Sequence, residues 1–99
     1  MKVIVLGSGI AAGFPAWNDG SIPALRARAG DATLPRRRGA AIAVTADGER
    51  YSLIEAPLHL ADSLTRDPRF APAEGSRNVP LDTLVLTCAE LDACAGPLA

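Results

Sequence analysis

Aromatic residues, histidine and cysteine are scarce in this 99-residue chain, which has four aromatic residues, one histidine and two cysteines. A core with so few aromatic rings must be built from small aliphatic side chains, which bury less area each. The lone histidine, His59, has no second imidazole beside which to form a metal or catalytic site, so we interpret it as an exposed or packed structural residue. Cys88 and Cys94 would lie on largely opposite faces of a helix, and we interpret them as reduced, buried apolar residues, not as a disulfide.

Three further features are absent from the sequence, and each absence excludes a class of protein. A formal net charge of −1 provides no basic excess for nucleic acid or for an anionic membrane surface. No apolar run approaches the roughly 20 residues that cross a bilayer. The N terminus begins with a predicted strand and lacks a signal sequence, so we expect a cytoplasmic protein. A chain of this length forms one domain at most, and we treat residues 1–99 as a single domain.

The first apolar run, Val3 to Leu6, predicts a strand buried on both faces of a layered sheet. Gly7, Gly9 and Gly13 follow it, a pattern that resembles a dinucleotide-binding turn. Such a turn requires a helix to begin at once, and Pro15 stands where that helix would be running. A nucleotide-binding half-domain is therefore kept only as an alternative.

Later apolar runs alternate with one helical pattern, and they predict an α/β (α+β) domain. Asp47-Gly48 is a strong hairpin signal between two strands. The fold we expect is a mixed β-sheet with one or two packed helices. Its predicted elements after the first strand are strands Ala40 to Thr45, Tyr51 to Glu55 and Leu81 to Thr87, the last of them buried, and a helix from Pro57 to Arg66 that Pro68 closes.

The segment from Gly20 to Arg38 is mainly loop, with at most one short helix around Ala24 to Ala29. It contains five arginines and one aspartate, so its net charge is +4 while the rest of the chain carries −5. Such a segment could hold an anionic peptide or partner as a non-catalytic binding module. The alternative that we favour is a solvated loop whose positive charge balances the negative charge of the rest of the chain.

Several stretches together carry a family resemblance. They occur in this order: Val5-Leu6-Gly7-Ser8, Gly13-Phe14-Pro15, Trp17-Asn18, Ile42-Ala43-Val44, Ala46-Asp47-Gly48-Glu49-Arg50, Val85-Leu86-Thr87 and Ala89-Glu90-Leu91-Asp92. They resemble the PqqB family of coenzyme PQQ biosynthesis proteins, over nearly the whole chain but only the N-terminal third of a usual member. The resemblance implies a partial, truncated metallo-β-lactamase-like fold and a role in PQQ biosynthesis. That role is iron-dependent hydroxylation of a Glu-Tyr-derived peptide precursor, or transport of the precursor or of PQQ.

The family also carries a Cys-x-Cys-x-x-Cys cluster suited to a structural zinc. At the matching positions this chain has Asp19, Ser21 and Ala24, and neither serine nor alanine can replace a zinc thiolate. The resemblance therefore predicts that this zinc site is absent. We expect the loop to be mobile without it.

The family's second metal motif, Thr-Asp-x-x-x-Asp-His, is also degenerate here. Asp92 matches the family aspartate, but Cys88 replaces the first aspartate and Ala93 replaces the histidine. Asp92 is the one residue that we name as a candidate metal ligand. Glu90 and Cys88 are weaker candidates. Carboxylates at a helix start explain Glu90 and Asp92 equally well without metal.

A catalytic metal needs about three protein ligands in a fixed geometry. We therefore predict no catalytic residues, no bound cofactor, and no enzymatic activity for this chain alone. The missing part of the fold leaves an apolar sheet face uncovered, so the expected partners are a second copy or a complementing chain, and a peptide precursor.

Overall fold

The computed structural model describes residues 1–10 and 13–89. They form one four-stranded sheet in the order β1-β2-β3-β4, with two α-helices and one short 3-10 helix. The β1/β2 and β2/β3 pairs are antiparallel and the β3/β4 pair is parallel, so the predicted mixed sheet is confirmed. The elements in chain order are β1 (Lys2–Gly7), α1 (Ile22–Arg28), β2 (Ala41–Thr45), β3 (Tyr51–Ile54), α2 (Leu60–Arg66), the 3-10 helix (Pro68–Phe70) and β4 (Leu81–Val85).

The turn between β2 and β3 forms where the Asp-Gly signal placed it. The Asp47 carboxylate accepts hydrogen bonds from the backbone N–H groups of Glu49 and Arg50 at 2.8 and 3.0 Å. Gly48 has a φ of 79°, which a glycine adopts without steric cost. The Thr45 hydroxyl accepts from the Gly48 N–H at 2.9 Å. Hydrogen bonds and backbone conformation within residues 45–50 therefore determine this hairpin.

One face of the sheet carries the core. Its aromatic centre is the edge-to-face pair of Tyr51 and Phe70, with ring centroids 5.1 Å apart. Three of its buried residues are alanines, as the scarcity of aromatic side chains predicted. The buried cluster consists of Ile4, Ala41, Ala43, Tyr51, Leu53, Ala56, Leu60 and Phe70.

The prediction that β1 is buried on both faces is wrong. Ile4 is buried, but Val3 and Val5 on the other face are 54% and 64% exposed. The reason is that β1 is an edge strand of a sheet with only one covered face. The pairing register places further apolar residues on the same uncovered face. We call it the open face; its residues are Val3, Val5, Ile42, Val44, Ile54 and Val85.

The last strand is also shorter and more exposed than predicted. It ends at Val85, two residues before the predicted end at Thr87. Leu84 and Val85 are 40% and 45% exposed, so the prediction of a buried strand is wrong. β4 is the other edge of the sheet, and an edge strand has a neighbour on only one side.

Helix α2 begins at Leu60, not at Pro57 as predicted. Residues 57–59 form a turn instead, in which the Leu60 N–H donates to the Pro57 carbonyl oxygen at 3.0 Å. The preceding strand ends at Ile54, because Glu55 has a left-handed φ of 70° that leaves the extended conformation. The predicted C-terminal end of the helix, Arg66, is confirmed.

Candidate functional site

The parallel strands β3 and β4 end side by side, at the sheet edge from which the predicted metal motif departs. The Glu55 N–H donates to the Val85 carbonyl oxygen at 2.9 Å. Glu55 Oε1 accepts the Thr87 N–H at 2.6 Å and also the Thr87 hydroxyl. These hydrogen bonds, the hydroxyl first and the backbone N–H second, lower the pKa of Glu55 against a smaller opposing effect of desolvation. Glu55 thereby fixes the direction of the chain as it enters the motif.

Sequence reasoning treated Glu55 only as the end of a strand. The available signal was that a carboxylate and a threonine each end a strand predicted to lie in one sheet. If two such strands are parallel, their carboxyl ends meet at the same edge. The sequence did not say which strands were parallel neighbours, and so this contact was missed.

The candidate metal ligands are only partly within the described residues. Cys88 is exposed and its thiol is free, so the prediction that it is buried is wrong. It follows β4, a strand whose own residues are mostly exposed. Glu90, Asp92, Ala93 and Cys94 lie outside the described residues. Within residues 1–10 and 13–89, no three His, Cys, Asp or Glu side chains are grouped so as to hold a metal. Asp92 as a metal ligand therefore stays a prediction.

The three positions that match the family's cysteine cluster are joined by hydrogen bonds. Asp19 Oδ1 accepts the Ser21 N–H at 2.9 Å, and the Ser21 hydroxyl accepts the Ala24 N–H at 3.4 Å. Ser21 is the N-cap of α1, with an extended backbone conformation. The Ser21 contacts also lower the pKa of Asp19. These residues thus shape a helix start.

Most arginines of the Gly20 to Arg38 segment have partners within the chain. Arg28 donates to the Trp17 carbonyl oxygen at 2.8 Å, and Arg26 Nε donates to Asp31 at 2.9 Å. Arg37 donates to the Ser8 hydroxyl at 2.8 Å, and Arg38 forms an ion pair with Asp62. Three of these contacts, those of Arg28, Arg37 and Arg38, tie the segment to the rest of the chain.

Gly7 at the end of β1, and Gly9 and Gly13 after it, admit a close approach of the backbone at residues 37–39. A Cβ on Gly7 would lie 2.1 Å from the Gly39 carbonyl oxygen, and one on Gly9 would lie 2.9 Å from the Arg38 carbonyl oxygen. The Gly9 N–H donates to that Arg38 oxygen at 2.6 Å. Among residues 1–10 and 13–89, the first helix begins at Ile22. The nucleotide-binding alternative therefore lacks the helix start that it needs.

His59 is exposed and immediately precedes α2. Its side chain does not cap the helix. In the part of the chain that the structure describes, no helix is long and apolar enough to cross a bilayer.

No protein-family model matches the chain. Coenzyme PQQ synthesis protein B of Xanthomonas euvesicatoria pv. vesicatoria is 40% identical over 98 residues, which are 99% of this chain and 33% of that protein. The same protein of Gluconacetobacter diazotrophicus is 36% identical over 99% of this chain and 32% of its own length. The chain is similar to PqqB. It spans about a third of the curated PqqB proteins that it matches, and the predicted resemblance is confirmed.

The fold agrees with that of PqqB. The crystal structure of Zn²⁺-bound PqqB from Methylobacterium extorquens superposes with a TM-score of 0.93 at 36% identity, covering 99% of this chain and 35% of that one. A diphosphatase of the PhnP family superposes with a TM-score of 0.69 at 23% identity, covering 96% of this chain and 32% of that one, which shows the fold alone. The prediction of a partial metallo-β-lactamase-like fold is thus confirmed.

Proposed function

We propose that this chain acts in PQQ biosynthesis as a PqqB-like segment that forms the first sheet of a metallo-β-lactamase-like domain. The observation that carries the proposal is the superposition on PqqB, with a TM-score of 0.93 over 99% of this chain but only 35% of PqqB. Residues 1–99 then form one part of a domain, and its activity depends on the part that PqqB has in addition. We place this function in the cytoplasm.

The exposed apolar residues of the open face support the proposal that a further part of the domain covers this sheet. Val3, Val5 and Val85 are about half exposed and are joined across the sheet by partly exposed aliphatic residues. Apolar surface of this kind is stabilised when another layer covers it. In our proposal a complementing chain or a second copy supplies that layer.

The proposed contribution to precursor hydroxylation is structural. Cys88 and Ala93 stand where the family motif has two ligands, so this chain offers Asp92 alone from that motif. One carboxylate does not hold iron or zinc tightly. Transport of the precursor or of PQQ is the other form in which a PqqB-like protein would serve this pathway.

Complementation tests the proposal. In a bacterium that lacks its own PqqB, we would express this chain, the unmatched remainder of Xanthomonas PqqB, and both together, and measure PQQ by mass spectrometry. We expect PQQ only when both are present. Val5→Lys, which puts a charge on the open face, should abolish PQQ, whereas the neighbouring exposed change Lys2→Gln should not. Co-purification of the two parts without any PQQ would refute the role in PQQ biosynthesis.

Metal analysis tests the non-enzymatic part. Chain purified without chelators should contain well under one equivalent of iron or zinc, because Asp92 is its single ligand from the motif. Asp92→Ala should leave that content unchanged. Stoichiometric metal that disappears in Asp92→Ala would show that the chain keeps the family's metal chemistry.

A further inference from the structure

A cavity of about 490 Å³ lies between α2 and the two backbone segments that the glycines bring together. Four arginines and the only histidine of the chain contribute to its lining, together with Gly13, Phe14 and Pro15. His59 and Arg66 are separated by about two helical turns, a spacing that places residues on one side of a helix. The cationic lining residues are Arg36, Arg37, Arg38, Arg66 and His59.

Backbone contacts fix one wall of the cavity. Phe14 and Arg37 exchange two backbone hydrogen bonds at 2.8 and 2.9 Å. Gly13, with a φ of 75°, would place a Cβ 3.0 Å from the Arg37 carbonyl oxygen. The arginine segment is therefore held against the glycine segment, and its side chains leave from a fixed backbone. Such prior ordering lowers the entropy lost on binding.

The arginines of this cavity are incompletely neutralised. Asp62 pairs with Arg38 and lies 3.5 Å from Arg66 Nε. The partner of Arg37 is the uncharged hydroxyl of Ser8. Among the described residues, Arg36 forms no ion pair. The four lining arginines thus have one carboxylate, that of Asp62, among their described ion-pair partners, and this surplus of positive charge attracts anions.

We propose that this cavity binds a small molecule with two or more oxyanion groups. Guanidinium groups bind the paired oxygens of carboxylate and phosphate through two parallel hydrogen bonds. Four arginines with one carboxylate leave three positive charges uncompensated, more than the roughly two negative charges of a single phosphate. A cavity of about 490 Å³ lies within the range occupied by small-molecule ligands. Phe14 and Pro15 add an apolar wall that suits the body of such a ligand.

Calorimetric titration of the purified chain tests the proposal, with pyrophosphate and citrate as probes and acetate as a singly charged reference, all at one ionic strength. We expect saturable 1:1 binding of at least one polyanion and none of acetate. Arg36→Gln and Arg37→Gln should each weaken that binding about tenfold, because each removes charge-assisted hydrogen bonds. Arg77→Gln removes the same charge from an exposed loop and should change it less than about twofold. Arg36 is exposed, and so its replacement should leave the circular dichroism spectrum unchanged.

The two probes also identify the ligand class. Binding of pyrophosphate alone would indicate a phosphorylated ligand, and binding of citrate alone would indicate a polycarboxylate. Binding of both would indicate a ligand that is selected by its charge. Absence of saturable binding for both would overturn the proposal. Equal weakening by Arg77→Gln and Arg36→Gln would overturn it as well, because binding would then follow net charge and not the cavity.

Discussion

Single residues decide how closely two distant segments of this chain approach each other. Gly7 lies so near Gly39 that a methyl group has no space, since the added Cβ would be 2.1 Å from the Gly39 carbonyl oxygen. The obstacle is backbone, which cannot rotate away as a side chain does. A substitution at Gly7 must therefore displace a strand end or the segment that precedes β2.

Gly7→Ala should lower the free energy of unfolding by about 1–3 kcal/mol, the usual cost of overpacking. The matched control is Gly20→Ala, because a Cβ at Gly20 would meet nothing within 4 Å. That control should stay within about 0.5 kcal/mol of the parent chain. Urea denaturation followed by circular dichroism measures both. Equal stability of the two variants would show that residues 37–39 do not approach Gly7 as described.

The Glu55 carboxylate should make the stability of the chain depend on pH. Hydrogen bonds from Thr87 hold the pKa of Glu55 below its ordinary value of 4.5. Between the lowered pKa and 4.5 the unfolded chain binds more protons, so this stabilisation is complete above pH 4.5 and is lost as pH falls through the folded-state pKa. Glu55→Gln should remove this part of the acid sensitivity, as measured by urea unfolding at a series of pH values.

The control for this measurement is Glu74→Gln, a carboxylate in the loop between the 3-10 helix and β4. It should retain the acid sensitivity of the parent chain. If Glu55→Gln and the parent chain lose stability in parallel below pH 4.5, the contact between Glu55 and Thr87 does not contribute to stability.

At the scale of the element, α1 is the least supported helix. Its buried residues are two alanines, Ala24 and Ala27, while Ile22 and Leu25 are 74% and 51% exposed. Two methyl groups bury little apolar area, so the helix gains little from packing. The Ser21 cap and the Arg28 contacts with the Ala16 and Trp17 carbonyl oxygens support it instead.

We expect the α1 amides to exchange with solvent faster than those of β2 and β3, because few buried contacts oppose local opening. Arg28→Gln should speed exchange in α1 further, and Arg77→Gln should not. Hydrogen exchange followed by NMR measures this and also tests the mobility expected for a loop without zinc. Protection of α1 equal to that of β2 would contradict the prediction.

At the scale of the whole molecule, the open face governs association. The chain should self-associate and bind a hydrophobic dye, because about half of each Val3 and Val5 side chain meets solvent. Val3→Lys should reduce both effects and leave the secondary structure intact. Ile4→Lys, one residue along, should unfold the chain, because that charge would enter the core.

Sedimentation equilibrium and dye fluorescence provide the measurements. A chain that is monomeric at high concentration and binds no dye would refute the idea that this sheet face needs a covering layer.

Local sequence patterns determined the elements of this protein. The Asp47-Gly48 turn, the strand on either side of it and the C-terminal end of α2 at Arg66 follow from interactions among neighbouring residues, which a pattern displays directly. The start of α2 was misplaced because Pro57 is equally acceptable in a turn before a helix. The residues that resemble PqqB were likewise readable in the sequence.

Only the tertiary structure decided which surfaces are covered and which distant residues meet. The sequence of β1 is a continuous aliphatic run, so it does not show that Ile4 is buried and Val3 exposed. That difference depends on which face of the sheet another element covers. Glu55 and Thr87 are 32 positions apart, and Arg36 reaches the cavity beside Arg66 through a separate segment of chain. Such contacts depend on strand order and register, which are set by burial summed over the whole sheet and not by any local run of residues.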